Sequence, residues 1–190
     1  MIPQRVRLDD VAPQPWRNGG GVTRELLAWP HAAEWQLRIS VADIESDGPF
    51  SSFPGIDRWF AVIEGAGVEL ALAAGSTFLR PGDPPLRFAG ESAPDCRLLQ
   101  GPTRDLNLMH RRGLGVASMR QAHAGSRLDG SLRWHALYAA DAALIDLGHQ
   151  TEPLAAGTLL WAEREPSAPI ALPWRVLSAG RAWWLALETR

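Results

Sequence analysis

The amino-acid sequence predicts an all-β protein built as a sandwich or barrel. Short segments that alternate polar and apolar residues run through the whole chain. Its 18 glycines and 15 prolines separate these segments and are spread from end to end. Closely spaced strands divided by turn residues are typical of β-sandwiches and β-barrels, so little helix is expected.

The first half of the chain contains five segments with strand character. Between Trp35 and Val41 the odd-numbered residues are apolar and the even-numbered residues are polar. This period of two is the pattern of a half-buried strand. The segments are residues 34–44, 58–70, 76–81, 86–90 and 96–101.

The second half also consists of short strand-like segments separated by turn residues, and one of its segments is similar in pattern to a segment of the first half. Residues 74–90 and 155–172 share a strand start with glycine and a hydroxyl residue, an apolar run, a proline-containing turn and a further strand. We therefore expect two related β-modules, residues 1–115 and residues 116–190. The second-half strand segments are residues 132–140, 142–154, 157–165, 173–180 and 182–189.

Composition excludes several classes of function. The formal net charge of the 190 residues is -2, and no segment concentrates basic residues, so nucleic-acid binding is not expected. All 19 basic residues are arginine, which excludes Schiff-base chemistry and a P-loop lysine. The single cysteine, Cys96, and the lack of a long apolar run or apolar leader predict a cytoplasmic protein without a membrane span.

No motif for a metal or cofactor is present. The five histidines, at positions 31, 110, 123, 135 and 149, are all more than ten residues apart. The chain has no H-x-H, H-E-x-x-H, C-x-x-C or G-x-S-x-G pattern. We therefore expect neither a bound metal nor a cofactor.

Three consecutive glycines, Gly19 to Gly21, follow Asn18 in a loop. They are adjacent and precede a strand-like segment, so they do not match the spaced glycines of a dinucleotide-binding loop. A glycine run lets the backbone approach a neighbouring group closely. Thr23 and Glu25 share one face of the following strand, so we expect Asn18, Thr23 and Glu25 on a pocket wall. A tight hairpin with polar surface residues is the alternative.

Two residues of this loop allow further expectations. Trp16 lies in its Pro- and Gly-rich start and either packs beneath the loop or lines a ligand pocket. If the glycines place polar groups beside a pocket, replacing Gly20 with valine should impair folding or binding.

Two more segments carry candidate functional residues. Residues 46–60 contain two turns with Phe50 and Phe53 between them, and long anchored loops are often functional. In residues 101–109, Asp105 and Asn107 share one parity of a strand whose other parity is leucine. They indicate either a polar interior or a solvent-exposed face.

With these segments the sequence resembles the HutD/Ves family, the histidine-utilisation accessory proteins. The matching motifs come in the order and spacing of that family and cover roughly the first 110 residues. The residues that carry the resemblance are Trp16, Asn18, Gly19, Gly20, Gly21, Thr23 and Glu25; Arg38, Ile39, Ser40, Asp47, Gly48, Pro49, Phe50, Ser51, Phe53, Pro54, Gly55, Asp57 and Arg58; and Gly101, Pro102, Asp105, Leu106, Asn107 and Met109.

The resemblance implies a bicupin, with two cupin-like β-modules in one chain. Metal-binding cupins carry histidines in both cupin motifs. Here residues 58–70 and 81–90, which take those positions, contain none. The resemblance therefore implies a cupin without the usual metal ligands.

The resemblance also implies a role in histidine degradation, whose intermediates are small anions. We expect a non-enzymatic binder of a small carboxylate such as formylglutamate or urocanate, which senses or buffers it. A metal-free isomerase or hydrolase with Glu25 or Asp105 as general base is the alternative, and a structural partner of another protein is a third. The strands are also compatible with a homodimer. The candidate ligand-binding residues are Trp16, Asn18, Thr23, Glu25, Arg38, Phe53, Arg58, Asp105 and Asn107.

Overall fold

A computed structural model describes residues 2–129, 132–165, 167 and 173–189. This part of the chain consists of nineteen strands and three short 3₁₀ turns, so the all-β prediction is confirmed. The 3₁₀ turns are Leu8–Asp10, Ala32–Glu34 and Gly90–Ser92. The strands are β1 (Gln4–Arg7), β2 (Gln14–Pro15), β3 (Gly21–Trp29), β4 (Leu37–Ile44), β5 (Gly48–Pro49), β6 (Ile56–Gly65), β7 (Val68–Leu72), β8 (Gly75–Leu79), β9 (Leu86–Ala89), β10 (Asp95–Leu98), β11 (Thr103–Arg111), β12 (Gly115–Ala122), β13 (Arg127–Leu128), β14 (Trp134–Ala139), β15 (Ala143–Asp146), β16 (Thr151–Leu154), β17 (Thr158–Glu163), β18 (Trp174–Ala179) and β19 (Ala182–Thr189).

The chain forms two compact units. One consists of residues 11–113, and the other combines residues 1–10 with residues 114–190. The sequence pattern predicts that the first ten residues belong to the N-terminal module, but in the structure they belong to the same unit as the C-terminal strands. The reason is that β1 pairs antiparallel with β17 along its whole length, with Val6 opposite Leu159.

The unit of residues 11–113 is built from two antiparallel sheets. The strand order is β2-β3-β4-β11-β6-β9 in the larger sheet and β5-β10-β7-β8 in the smaller one. Both sheets contribute side chains to one core, as in a sandwich whose inner faces interdigitate. The core residues are Ile44, Phe50, Phe60, Val62, Val68, Leu70, Leu79, Phe88 and Cys96.

The unit of residues 1–10 and 114–190 also has two antiparallel sheets. Their strand orders are β1-β17-β14-β19-β12 and β13-β18-β15-β16. Its interior is filled with apolar side chains, among which Leu137, Ile145, Trp174 and Trp184 are almost fully buried. Residues 155–172, the segment whose pattern is similar to that of residues 74–90, belong to this unit, and β17 forms the first strand of that segment. Residues 166 and 168–172 of the segment lie outside the described residues.

Among the described residues, no helix has the length and apolar character that crossing a membrane would require.

Candidate functional site

A cavity of about 620 Å³ opens within the unit of residues 11–113, on one face of its six-stranded sheet. On β4 and β11 the lining residues are two positions apart, because successive side chains of a strand point to opposite faces. The lining residues are Gln14, Pro15, Trp16, Arg17, Asn18, Thr23, Arg38, Ser40, Ala42, Pro49, Phe50, Ser51, Phe53, Arg58, Asp105, Asn107 and Met109.

Asn107 of β11 stands at the centre of the cavity floor. It lies opposite Ser40 of β4 on one side and opposite Phe60 of β6 on the other. Asp105 precedes it by two residues on the same strand face. Only 1% of Asp105 and 3% of Asn107 is exposed. These two residues therefore belong to a polar interior, and the alternative of a solvent-exposed face is wrong.

Arg58 brings a positive charge into the interior. Its side chain is buried, and its guanidinium lies over the ring of Phe50, 4.3 Å from the centroid, with Phe60 and Phe88 close by. Its Nε donates a hydrogen bond of 2.7 Å to Oδ1 of Asn107. Burial lowers the pKa of Arg58 to about 10, so the group is still a cation at neutral pH. Faces of aromatic rings stabilise such a cation.

Asp105 brings a carboxyl group to the same floor. Nδ2 of Asn107 donates a hydrogen bond to Oδ1 of Asp105, so one carboxamide connects this carboxyl group to Arg58. Burial raises the pKa of Asp105 to about 7, against smaller opposing effects of Arg58 and Asn107. Near neutral pH the carboxyl group therefore exists in both protonation states.

A second arginine reaches the cavity from β4. Nε of Arg38 donates a hydrogen bond of 2.6 Å to Oε2 of Glu25 on the neighbouring strand β3. Its Nη1 lies 4.0 Å from Sδ of Met109 on the other side. Arg38 is therefore held in place by groups on both neighbouring strands, and Glu25 neutralises part of its charge.

The glycine run forms the turn between β2 and β3 at the rim. The amide nitrogen of Trp16 bonds to the carbonyl of Gly21 at 2.9 Å, and that of Gly19 bonds to the carbonyl of Trp16 at 3.0 Å. Gly19 has a φ of +70°, which favours glycine. A Cβ at Gly21 would lie 2.2 Å from the carbonyl oxygen of Asp43, so only glycine allows β3 to come this close.

Polar side chains hold this turn against the cavity. Nε1 of Trp16 donates a hydrogen bond of 2.8 Å to Oγ1 of Thr23, which fixes the indole at the rim. Oδ1 of Asn18 accepts a bond of 3.0 Å from the amide of Gly20, and the Nδ2 group of this side chain is its hydrogen-bond donor. Trp16 therefore lines the cavity and also packs against the core of the unit.

The loop of residues 46–55 closes another side of the cavity. Main-chain bonds of 3.0 Å tie Phe50 to Pro94 and Phe53 to Gly90. Oδ1 of Asp47 accepts a bond of 2.8 Å from the amide of Leu98. These bonds and the pairing of β5 with β10 attach the loop to the rest of the unit, and it presents Phe50 and Phe53 to the cavity.

The structure brings the sequence-predicted site residues together. Of the nine candidates, eight line the cavity, and Glu25 acts one step behind it by binding Arg38. Ligand binding by these residues stays a prediction. Ser40 and Met109 are two of the lining residues that were not among the sequence-predicted candidates. The alternation of side chains along a strand would have predicted both, because Ser40 is two residues after Arg38 and Met109 is two residues after Asn107, on the same strand face.

The histidines do not gather at the cavity. His110 and His135 are buried, but they belong to different units and neither lines the cavity. In the part of the chain that the structure describes, no group of three or more His, Cys, Asp or Glu side chains is arranged to hold a metal ion.

Two packed antiparallel sheets around a polar cavity define a cupin-like all-β protein. The chain belongs to the HutD family, whose family model matches residues 8–182. The resemblance to HutD/Ves proteins is thereby confirmed.

Individual relatives agree with this assignment. A 21.2 kDa protein of Pseudomonas putida, described by its position in the hutC 3' region, is 36% identical over 140 residues, 72% of this chain and 73% of the relative. Protein Ves of Citrobacter koseri is 38% identical over 109 residues, 56% of this chain and only 57% of the Ves protein. The solved structure of HutD from Pseudomonas fluorescens SBW25 in a formate condition has 30% identity, a TM-score of 0.86 and full coverage of both chains.

Proposed function

We propose that this chain is a non-enzymatic binding protein of histidine degradation. It takes a small carboxylate intermediate, such as formylglutamate or urocanate, into the cavity and thereby senses or buffers it. The link to histidine degradation is supported by membership of the HutD family and by the hutC-region protein of Pseudomonas putida. The cavity volume of about 620 Å³ is typical of sites for small molecules.

Arg58 is the observation that carries the proposal. None of the ion pairs between described residues includes Arg58, although its guanidinium is buried. Its Nε is engaged by Asn107, and no described residue accepts a hydrogen bond from its terminal nitrogens. A desolvated guanidinium with an available edge suits a carboxylate, which it binds through two parallel hydrogen bonds.

Other lining residues suit the rest of such a ligand. Asn18 and Asn107 carry side-chain amides that recognise an amide or formyl group. Trp16 and Phe53, on the two loops of the rim, provide apolar surface to cover it.

A metal-free isomerase or hydrolase acting on the same intermediates is the second candidate. Its support is Asp105, a buried carboxyl group whose pKa of about 7 suits a general acid or base at neutral pH. Glu25 is the weaker choice for this role because its carboxylate binds Arg38.

Thermal unfolding in the presence of each intermediate tests the proposal. The panel is urocanate, formiminoglutamate, formylglutamate and glutamate, with tartrate and citrate as anion controls. A ligand at about 100-fold its Kd adds roughly 2.7 kcal/mol to the free energy of unfolding. For a chain of this size we expect Tm to rise by about 5–10 °C. A selective rise with the compound recovered unchanged supports a binder, and a rise with the compound consumed supports the enzyme.

Matched arginine variants locate the binding. Arg58→Gln should abolish the ligand-induced rise in Tm. Arg97→Gln should keep it, since Arg97 lies in β10 of the same unit and its side chain is 66% exposed. If no compound of the panel shifts Tm, or if Arg58→Gln responds like the wild type, the proposal is wrong.

A further inference from the structure

The cavity floor holds two buried groups of opposite charge that are separated by one side chain. Oδ1 of Asn107 accepts a hydrogen bond from Arg58, and its Nδ2 donates one to Asp105. The carboxamide is therefore oriented by both neighbours. In the ligand-free cavity, ionised Asp105 provides a negative charge near Arg58 without pairing with it directly.

We propose that Asp105 takes up a proton when the cavity binds an anion, so that the site accepts one carboxylate charge together with one proton. This inference rests on the proposed function. In the bound state the carboxylate of the ligand becomes the counter-ion of Arg58. Asp105 gains the proton from solvent and becomes a neutral carboxylic acid.

The physical reason is the cost of a second negative charge in a buried site. One cation, Arg58, neutralises one carboxylate, and two carboxylates beside it would repel each other in a medium of low dielectric constant. The charge of Arg38 is already offset by Glu25. Protonation of Asp105 removes the repulsion and keeps the floor neutral before and after binding.

The other titratable groups near Asp105 do not compete for this role. Burial raises the pKa of the Cys96 thiol to about 12, so Cys96 stays neutral. Asp43 stays ionised because Arg104 and Arg24 bind it and lower its pKa against the effect of burial. The charged and titratable groups that interact with Asp105 are Arg58 on β6, Asp43 on β4 and Cys96 on β10. Arg38 on β4 lines the same cavity, and Glu25 on β3 binds it.

Protonation also defines the class of ligand. A neutral carboxylic acid has an O–H that must donate a hydrogen bond when it is buried. Oδ1 of Asp105 already accepts from Asn107, so the proton belongs on Oδ2. The preferred ligand therefore combines a carboxylate, for Arg58, with a neutral carbonyl oxygen, for Asp105.

Isothermal titration calorimetry in buffers of different ionisation enthalpy measures the proton uptake. The probe is N-formylglutamate, in which one of the two carboxylates is the partner expected for Arg58 and the formyl carbonyl oxygen is the partner expected for Asp105. At pH 8, where the free site is mostly ionised, we expect uptake of about 0.5–1 proton per ligand. At pH 5.5 Asp105 is already protonated, so uptake should be near zero. Above pH 7 the Kd should rise by up to about tenfold per pH unit.

Two variants identify the proton acceptor. Asp105→Asn keeps the shape of the side chain and an acceptor for Asn107, so it should bind the probe with no proton uptake and a Kd independent of pH. Asp95→Asn is the matched control, because Asp95 is an exposed carboxylate in β10 of the same unit, and it should retain the uptake.

An infrared difference spectrum of the wild type gives a second readout that needs no variant. Binding of the probe at pH 8 should add the carbonyl band of a protonated carboxyl group. Binding without that band, or proton uptake that survives in Asp105→Asn, overturns the inference and leaves the proposed function standing. If the folded wild type binds no probe at any pH from 5.5 to 8, the proposed function and this inference fall together.

Discussion

Asp105 shows how strongly one residue depends on its place in the fold. An aspartate in an unfolded chain loses its proton near pH 4, whereas burial raises the pKa of Asp105 to about 7 in the folded state. The folded protein therefore binds this proton more tightly than the unfolded chain. The stability that this provides is complete below pH 4 and is lost as the pH rises from about 4 to about 7.

Replacing Asp105 should accordingly change stability in a pH-dependent way. Without ligand, Asp105→Asn should be more stable than the wild type at pH 8 by roughly 2–4 kcal/mol, because no buried charge has to form. At pH 4 the two proteins should be nearly equal. Urea unfolding at several pH values between 4 and 8 measures the difference. A variant less stable than the wild type at pH 8 would contradict this account.

For a single residue, the sequence predicts to which face of a strand the side chain points, but it does not predict which side chains of other strands surround it. The alternation of polar residues with leucine places Asp105 and Asn107 on one strand face without any structure. The three phenylalanines around Arg58 come from residues 50, 60 and 88, which are distant in the chain. Which rings meet which guanidinium depends on sheet pairing that a single sequence does not contain.

At the scale of elements, the β2–β3 turn depends on close backbone packing. The glycine run was expected to bring polar side chains to a pocket wall, and Asn18 and Thr23 do line the cavity. Glu25 lies farther along β3, where the register with β4 shifts after it. Its side chain binds Arg38, a partner that the spacing of residues within β3 does not reveal.

The three glycines should differ in how well they tolerate a side chain. At Gly20 a Cβ would meet mainly Oγ of Ser46 at 3.0 Å, and this side chain is able to rotate away. At Gly21 the obstacle is the backbone of Asp43 at 2.2 Å. We expect Gly21→Ala to lower the free energy of unfolding by roughly 2–4 kcal/mol and Gly20→Ala by about 1 kcal/mol or less.

Denaturant unfolding and ligand response measure both variants. Gly21→Ala should also weaken the response to the probe, since Trp16 and Thr23 are positioned by this turn. Equal stability of the two variants would mean that the close approach of β3 to Asp43 is not required. Gly20→Val, which is bulkier, is expected to fall between them.

At the scale of the whole molecule, the two units respond to pH in opposite directions. Asp105 reduces the stability of the unit of residues 11–113 as the pH rises. In the other unit His135 is 1% exposed and packs edge-on against Trp174, with the ring centroids 4.5 Å apart. Burial lowers the pKa of His135 to about 4, against a smaller effect of the Leu132 carbonyl.

His135 should therefore limit stability in acid. Its stabilising contribution is complete above pH 6.5, the pKa in the unfolded chain, and is lost as the pH falls toward 4. Over this window His135→Phe should lose about 3 kcal/mol less stability than the wild type, because a phenyl ring has no proton to bind. Thermal unfolding from pH 4 to 7 measures this, with the exposed His123→Phe as control. Identical pH profiles of His135→Phe and the wild type would show that His135 is not responsible.

The sequence predicted the overall class of the molecule from its turn residues and alternating segments. It did not predict that β1 joins the C-terminal strands. The four residues of β1 have mixed polarity, and this pattern does not predict which strand they pair with. The partner strand β17 lies about 150 residues later in the chain. Long-range strand pairing is decided by the complementarity of whole sheets, which local patterns do not encode.

The position of β1 has a consequence for synthesis on the ribosome. Residues 11–113 contain every strand of their two sheets, so this unit is complete as soon as β11 has left the ribosomal exit tunnel. Residues 4–7 are made before this unit, yet their partner strand β17 is made only after it. The unit of residues 11–113 is thus able to fold during translation, whereas β1 stays unpaired until β17 has been made.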